Sequence, residues 1–206
     1  MNWFEALLLG ILQGLTEFLP ISSSGHLELG SYFLKTNNAD NLLFTVIVHF
    51  ATAISILYVF RNDIKKLIQS MLKFEKNSET IFISKILISA IPVGIVGIFF
   101  EEKVESLFNG NIILVGSMLL ITALLLAFTY FQKNNSKNEI SYYDALIIGI
   151  AQAFAIIPGI SRSGATISTA LFLKINKKEA TRFSFLMVLI PIFGIVFLKI
   201  YKGAMN

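Results

Sequence analysis

Gln13 and Glu17 stand four residues apart in a mostly apolar run. In a helix that spacing puts an amide and a carboxylate side by side on one face, a pairing that suits a hard divalent cation. Beyond Pro20, the stretch Ser22-Ser23-Ser24-Gly25-His26 can open a second helix, whose free N–H groups and positive dipole end face the turn. Anionic oxygen binds well in such a position. With the helix begun by Ser23, His26 follows one turn later on the same face. A nucleophilic hydroxyl and a base then become neighbours.

A second segment supplies the complementary charge: Pro158-Gly159-Ile160-Ser161-Arg162-Ser163-Gly164-Ala165-Thr166. Arg162 is the only arginine between Arg61 and Arg182, and its planar fork can bind two phosphate oxygens at once. Thr166, four residues on, shares its face. Both segments carry the same short text. Gly-Ile-Leu-Gln13 leads to Ser22-Ser23-Ser24-Gly25, and Gly-Ile-Ala-Gln152 leads to Ser161-Arg162-Ser163-Gly164, with equal spacing from Gly10 to Gly25 and from Gly149 to Gly164. Each copy is a helix, a hydroxyl-rich turn and a second helix. Repeated broken helices in a membrane chain place two half-helix ends at a shared site near the bilayer midplane. Glutamine, carboxylate, hydroxyls, histidine, arginine and two helix N-termini describe a site for a phosphate ester or anhydride, because phosphoryl transfer rests mainly on positioning and charge stabilisation.

The elements that hold these residues are membrane helices. With 55% hydrophobic and 15% charged residues and a mean hydropathy of +0.72, the chain is more apolar than soluble domains are. Leu42–Phe60, Ile81–Phe100, Ile112–Phe131 and Phe183–Tyr201 each approach the ~20 residues that cross a hydrocarbon core, and give four full spans. The repeated segments, 3–34 and 142–173, read as re-entrant hairpins. Long runs without polar/apolar alternation argue against a barrel. Lys and Arg concentrate in cytoplasmic loops. This puts Arg61, Lys65, Lys66, Lys73 and Lys76 inside, the acidic Glu101–Glu105 stretch outside, and Lys133 and Lys137 inside again. A hairpin at 142–173 keeps Lys174, Lys177, Lys178 and Arg182 inside as well, and the two hairpins then enter from opposite faces. The expected architecture is a single all-α membrane domain with an inverted-topology repeat, one copy over about 1–100 and the other, incomplete, over about 112–206.

No cysteine is present, so disulfides and thiolate metal sites are excluded. The N-terminal run lacks a preceding Lys or Arg and contains Glu5 and Glu17, unlike a signal peptide. The net charge of +4 sits mostly in the basic loops and reports topology and lipid contact rather than nucleic-acid binding. Ile64, Leu67, Ile68, Met71 and Leu72 recur at helical spacing, which predicts an amphipathic interfacial helix. His49, within a full span beside Thr45 and Thr52, reads more readily as an interhelical hydrogen-bond partner than as a catalytic residue. Ser24 and Ser163 taken singly read equally well as small residues that ease helix packing.

The stretch Leu15-Thr16-Glu17-Phe18-Leu19-Pro20-Ile21-Ser22-Ser23-Ser24-Gly25-His26 and the Pro158–Gly164 segment closely resemble the two signature motifs of the BacA-type undecaprenyl-diphosphate phosphatases. The likeness extends through His49-Phe50-Ala51-Thr52 and Phe183-Ser184-Phe185-Leu186. It implies two inverted re-entrant hairpins among six full spans, often in a homodimer. The implied activity removes the terminal phosphate of undecaprenyl diphosphate at the outer face of the plasma membrane, which recycles the lipid carrier for cell-wall synthesis and confers bacitracin resistance.

Carried over, the resemblance makes Gln13 and Glu17 the metal and catalytic pair, with Mg²⁺ or Ca²⁺ as cofactor. Ser23 matches the proposed nucleophile, His26 the neighbouring histidine and Arg162 the arginine that neutralises the diphosphate. Ser22, Ser24, Gly25, Gly159, Ser161, Ser163, Gly164 and Thr166 would line the phosphate pocket. Members of the family usually continue with further helices beyond the segment matching Phe183–Tyr201, where this sequence stops at Asn206. The expected activity is therefore a polyprenyl-diphosphate phosphatase. Either Ser23 attacks with Glu17 or His26 taking its proton, or metal-bound water attacks directly with Ser23 as a ligand. A flippase for anionic polyprenyl lipid and a non-catalytic, truncated paralogue are the rival expectations.

Overall fold

Polar caps interrupt the apolar runs and set the helix boundaries. A computed structural model describes residues 1–36, 38–73, 77–108, 110–132 and 137–201, with 38–43, 105 and 198–201 described by backbone alone. Lys76, Lys133 and Asn206 lie outside the described residues. The helices are α1 (Trp3–Glu17), α2 (Ser23–Leu34), α3 (Asn38–Val59), α4 (Arg61–Leu72), α5 (Ser78–Phe99), α6 (Glu101–Glu105), α7 (Ile112–Tyr130), α8 (Tyr142–Phe154), α9 (Arg162–Phe172), α10 (Lys177–Met187) and α11 (Leu189–Tyr201). Among the described residues there is no strand, only an isolated bridge between Lys137 and Ile175. The chain is an all-α membrane protein.

The two repeated segments are the hairpins α1–α2 and α8–α9, and their backbones repeat as well as their text. Asn2 and Ser141 open the first helices with capping boxes closed by Glu5 and Asp144. Ser22 and Ser161 cap the second helices by accepting from the backbone N–H of Gly25 and Gly164. Lys35 and Lys174 end them in the left-handed region, at φ 54° and 67°. Each pair keeps the offset that separates Gly25 from Gly164. The longest of these helices has 15 residues and at ~1.5 Å per residue reaches about 22 Å, short of a ~30 Å hydrocarbon core. Each hairpin must therefore turn back. For α8–α9 the return is direct, since Lys137 N donates to Lys174 O at 3.1 Å and Asn176 N to Lys137 O at 3.0 Å.

The hairpin tips meet. A Cβ on Gly25 would lie 2.9 Å from the Cα of Gly159, and one on Gly164 would lie 2.9 Å from the Pro20 carbonyl oxygen. Positions 20 and 159 share the same offset, so the two contacts are one contact seen twice, as a two-fold relation requires. Gly159 adopts φ +99°, and a Cβ there would approach the Val115 carbonyl oxygen of α7 to 2.5 Å. Only glycine fits both demands. Thr122 of α7 then clamps the second tip, with its hydroxyl donating to Gly159 O at 2.9 Å and accepting from Ser161 N at 2.9 Å.

Three stretches are long and apolar enough to cross a membrane: Ser78–Phe99, Ile112–Tyr130 and Lys177–Phe197. The fourth expected span, Leu42–Phe60, is α3, which bends by 80° into α4. On α4, Leu67 is buried while Ile68, Met71 and Leu72 are exposed, so its apolar residues divide between core and surroundings. The span expected at Phe183–Tyr201 is two helices parted at Val188. Pro191 lacks the N–H that would bond the Met187 carbonyl, and the break follows. Arg182 donates to Asp63 at 2.8 Å and Glu79 at 3.4 Å and lies 4.3 Å from the centre of the Phe82 ring. That network ties α4, α5 and α10 at one end and gathers the basic segments 61–73 and 174–182 there. α5 then carries the chain away from this end to the acidic α6.

α5 packs on α8 so closely that a Cβ on Gly149 would lie 2.3 Å from the Ser89 carbonyl oxygen, whereas nothing approaches the equivalent Gly10 within 4 Å. Gly149→Ala should cost about 1–3 kcal/mol through overpacking, read as a lower midpoint of thermal unfolding in detergent. Gly10→Ala should be neutral or stabilise by up to ~1 kcal/mol through helix propensity. Equal losses in the two variants would contradict the packing difference.

Candidate active site

Glu17 is the last residue of α1, and its carboxylate is only 10% exposed. A charge at that depth in an apolar helix is costly and requires partners. It has four. Gln13 Nε2, one turn earlier, donates to Oε2 at 2.7 Å. The Ser23 hydroxyl, in the first turn of α2, donates to the same oxygen. Arg162, the first residue of α9, brings Nη2 to 3.3 Å from Oε1. His49 of α3 sets Nε2 3.8 Å from Oε2. Both hairpins and one span thus converge on a single carboxylate.

Gln13, Glu17, Ser23 and Arg162 therefore come together as the sequence implies. Each depends on the breaks at the tips. Ser22 takes φ 71° and ψ 90°, a region that a non-glycine residue occupies at a cost, and this turn swings Ser23 back towards α1. Ser161 opens α9 from an extended conformation and points Arg162 across to the first hairpin. The N-termini of α2 and α9 meet at the tips, so two helix dipoles present their positive ends there.

His26 follows Ser23 by three residues on α2, and its ring turns to the backbone. Its Nδ1 lies 2.7 Å from the Ser22 carbonyl oxygen, and among the described residues it makes no bond to Ser23. A ring nitrogen facing a carbonyl carries the proton, which leaves Nε2 as the free lone pair. The other hydroxyls divide by task. Ser22 and Ser161 cap helices, Thr166 is buried and bonds back to Arg162 O at 2.9 Å, and Ser24 and Ser163 lie half-buried beside the capping serines at 3.3 and 3.4 Å. Gly25, Gly159 and Gly164 form the tip-to-tip contact.

One residue was read mainly as a packing partner, and another went unread. His49 is not an interhelical hydrogen-bond partner: its Nδ1 bonds the Thr45 carbonyl oxygen of its own helix at 2.7 Å, and its other nitrogen faces Glu17. The lone imidazole in an apolar span was the available signal. Thr122 looks like any of several hydroxyls in α7, and nothing in its neighbours marks it as the clamp of the second tip.

Residues 6–206 match the family described as Bacitracin resistance protein BacA. The chain belongs to the BacA family. It is 55% identical to the undecaprenyl-diphosphatase of Christiangramia forsetii, over 100% of this chain and 77% of that protein. The same-named protein of Bacteroides fragilis is 52% identical over 98% of this chain and 77% of its own length. That of Methanococcus maripaludis is 40% identical over 98% and 80%. In this BacA chain, the two motif segments carry the residues that the tips bring together.

Removing Arg162 leaves the Glu17 charge uncompensated across the tips. Arg162→Ala should lower phosphate release by ~100–1000-fold, the scale of losing one aimed donor in a dry site. Arg162→Lys should recover only part, since an ammonium lacks the two-pronged geometry. Turnover of folded protein in detergent with a diphosphate lipid measures both, and near-normal rates for Arg162→Ala would remove it from the site.

Proposed function

We propose that this chain hydrolyses undecaprenyl diphosphate, or a similar polyprenyl diphosphate, to the monophosphate and inorganic phosphate. The bond from the Ser23 hydroxyl to Glu17, with Arg162 on the other carboxylate oxygen, carries this reading. It joins a nucleophile, a proton acceptor and an anion-binding cation at one point. The shared family and the names of the relatives support the same activity.

In the proposed reaction Arg162 turns from Glu17 to the terminal phosphate, where its fork and the N-termini of α2 and α9 offset the anionic charge. Ser23 Oγ attacks the terminal phosphorus while Glu17 accepts its proton. The bond from phosphorus to the bridging oxygen breaks, and the lipid leaves as the monophosphate. Water then cleaves the phosphoserine. We assign its proton to His26 Nε2, Glu17 returns the first proton to the departing Ser23 oxygen, and the reaction ends as inorganic phosphate with the Ser23 hydroxyl restored.

We propose that a divalent cation, Mg²⁺ or Ca²⁺, takes part. The donor set fits: Glu17 offers carboxylate oxygen, and Gln13 holds a buried Oε1 that has no hydrogen-bond partner among the described residues. Such an ion would neutralise diphosphate oxygens and stabilise charge on the leaving group. With a single carboxylate already facing Arg162, the protein alone gives the ion little charge, so the diphosphate must supply part of its ligation.

The proposed setting is the plasma membrane, with the basic end in the cytoplasm and the site open to the outer face. A homodimer is also compatible with the family resemblance. Single cysteines can be introduced without background, because the chain has none. A cysteine at Lys177 should resist a membrane-impermeant thiol reagent in intact cells, while one at Glu102 should label. Equal labelling would refute the inverted hairpin.

Glu17→Gln keeps size and hydrogen bonding but removes the charge. Phosphate release should fall by ~10²–10⁴-fold, the range for losing a general base, and its dependence on Mg²⁺ and Ca²⁺ should be lost. Gln13→Glu should be tolerated and strengthen metal binding. Wild-type turnover and metal response in Glu17→Gln would sink the assignment. Movement of lipid across vesicles without phosphate release would instead favour a carrier.

A further inference from the structure

His49 lies outside the two motif segments, yet the fold brings it to Glu17. Its Nδ1, 2.7 Å from the Thr45 carbonyl oxygen, must carry the proton of the neutral ring. Nε2 is then an acceptor, and it faces another acceptor, Glu17 Oε2, at 3.8 Å. This distance exceeds the 2.7–3.2 Å of a hydrogen bond from a ring N–H. It does suit two atoms that share a cation, because donors at about 2.0–2.4 Å from one ion stand roughly 3–4 Å apart at ordinary ligand angles. Gln13 supplies a third donor beside them. Its Oε1 is buried without a partner among the described residues, and a turn of the amide end for end would place that oxygen where its Nε2 now meets Glu17.

We infer that His49 is a nitrogen ligand of the divalent cation, completing a protein set of Glu17, Gln13 and His49 whose remaining positions are filled by diphosphate oxygens and water. The inference deepens the proposed phosphatase reading and rests on its cation. It goes beyond the motif pair by adding a ligand from α3. Imidazole binds first-row transition ions better than Mg²⁺ or Ca²⁺. A His49 ligand therefore tilts the site towards Mn²⁺, whereas a set built from Glu17 and Gln13 alone would not.

The test uses the full chain in detergent, stripped of metal, with Mn²⁺ as probe and methylenediphosphonate as the uncleaved headgroup. Pulsed electron paramagnetic resonance should show ¹⁴N coupling to bound Mn²⁺ from a directly ligating imidazole. His49→Gln, with its melting midpoint measured as a check of folding, should lose the coupling and bind Mn²⁺ about tenfold or more weakly. His26→Gln should retain the coupling. Bound Mn²⁺ without ¹⁴N coupling in the wild-type protein, or coupling that persists in His49→Gln, overturns the inference and leaves the cation reading intact. A proton on Nε2, forming an ion pair with Glu17, would give the first of these results. No Mn²⁺ binding even with methylenediphosphonate overturns the cation reading and the His49 ligand together.

Discussion

The charge on Glu17 is the constraint from which the rest of the centre follows. A carboxylate enclosed by apolar helices is tolerated only where hydrogen bonds and opposite charge replace the water it has lost. One helix cannot supply them all. Gln13 comes from the same helix, Ser23 requires the chain to reverse at Pro20–Ser22, and Arg162 requires a second reversal more than a hundred residues later. The hairpins deliver these partners, and the spans hold the hairpins tip to tip.

Close approach of the tips depends on what the backbone leaves out. Side chains at Gly25 or Gly164 would push one tip from the other, and one at Gly159 would push the second tip from α7, so that Glu17 would lose Arg162. α7 backs this contact on the second side, where Thr122 satisfies a carbonyl and an N–H that the break in the hairpin leaves free. Buried backbone groups without partners would cost more than the turn could otherwise bear.

Much of this was legible in the chain itself. The repeated Gln, Ser and Gly at equal spacing located both hairpins, and the distribution of Lys and Arg fixed which ends share a side. The lone carboxylate marked the centre. Other features depend on pairings between distant elements, which local patterns do not encode. His49 looked like a polar residue satisfied within its bundle, because nothing near it in sequence points to residue 17. The spacing of His26 placed it one turn from Ser23 on α2, but the bond of its ring to the Ser22 carbonyl was not legible. The break at Val188 could have been read from Pro191, yet the apolar run around it concealed the interruption.

Ser23 and Arg162 occupy equivalent positions, each the first residue of the second helix in its hairpin. The same backbone place therefore holds a hydroxyl on one side and a guanidinium on the other. A centre with identical halves would accept an anhydride in either direction, since its two phosphoryl groups are nearly alike. Here the halves differ, and on the proposed reading the ligand acquires a head and a tail as it docks. The phosphoryl group that meets Ser23 and Arg162 together is cleaved, while the one bearing the lipid is steered away. Near-symmetry builds the cradle, and the mismatches within it, Ser23 against Arg162 among them, give the reaction its direction.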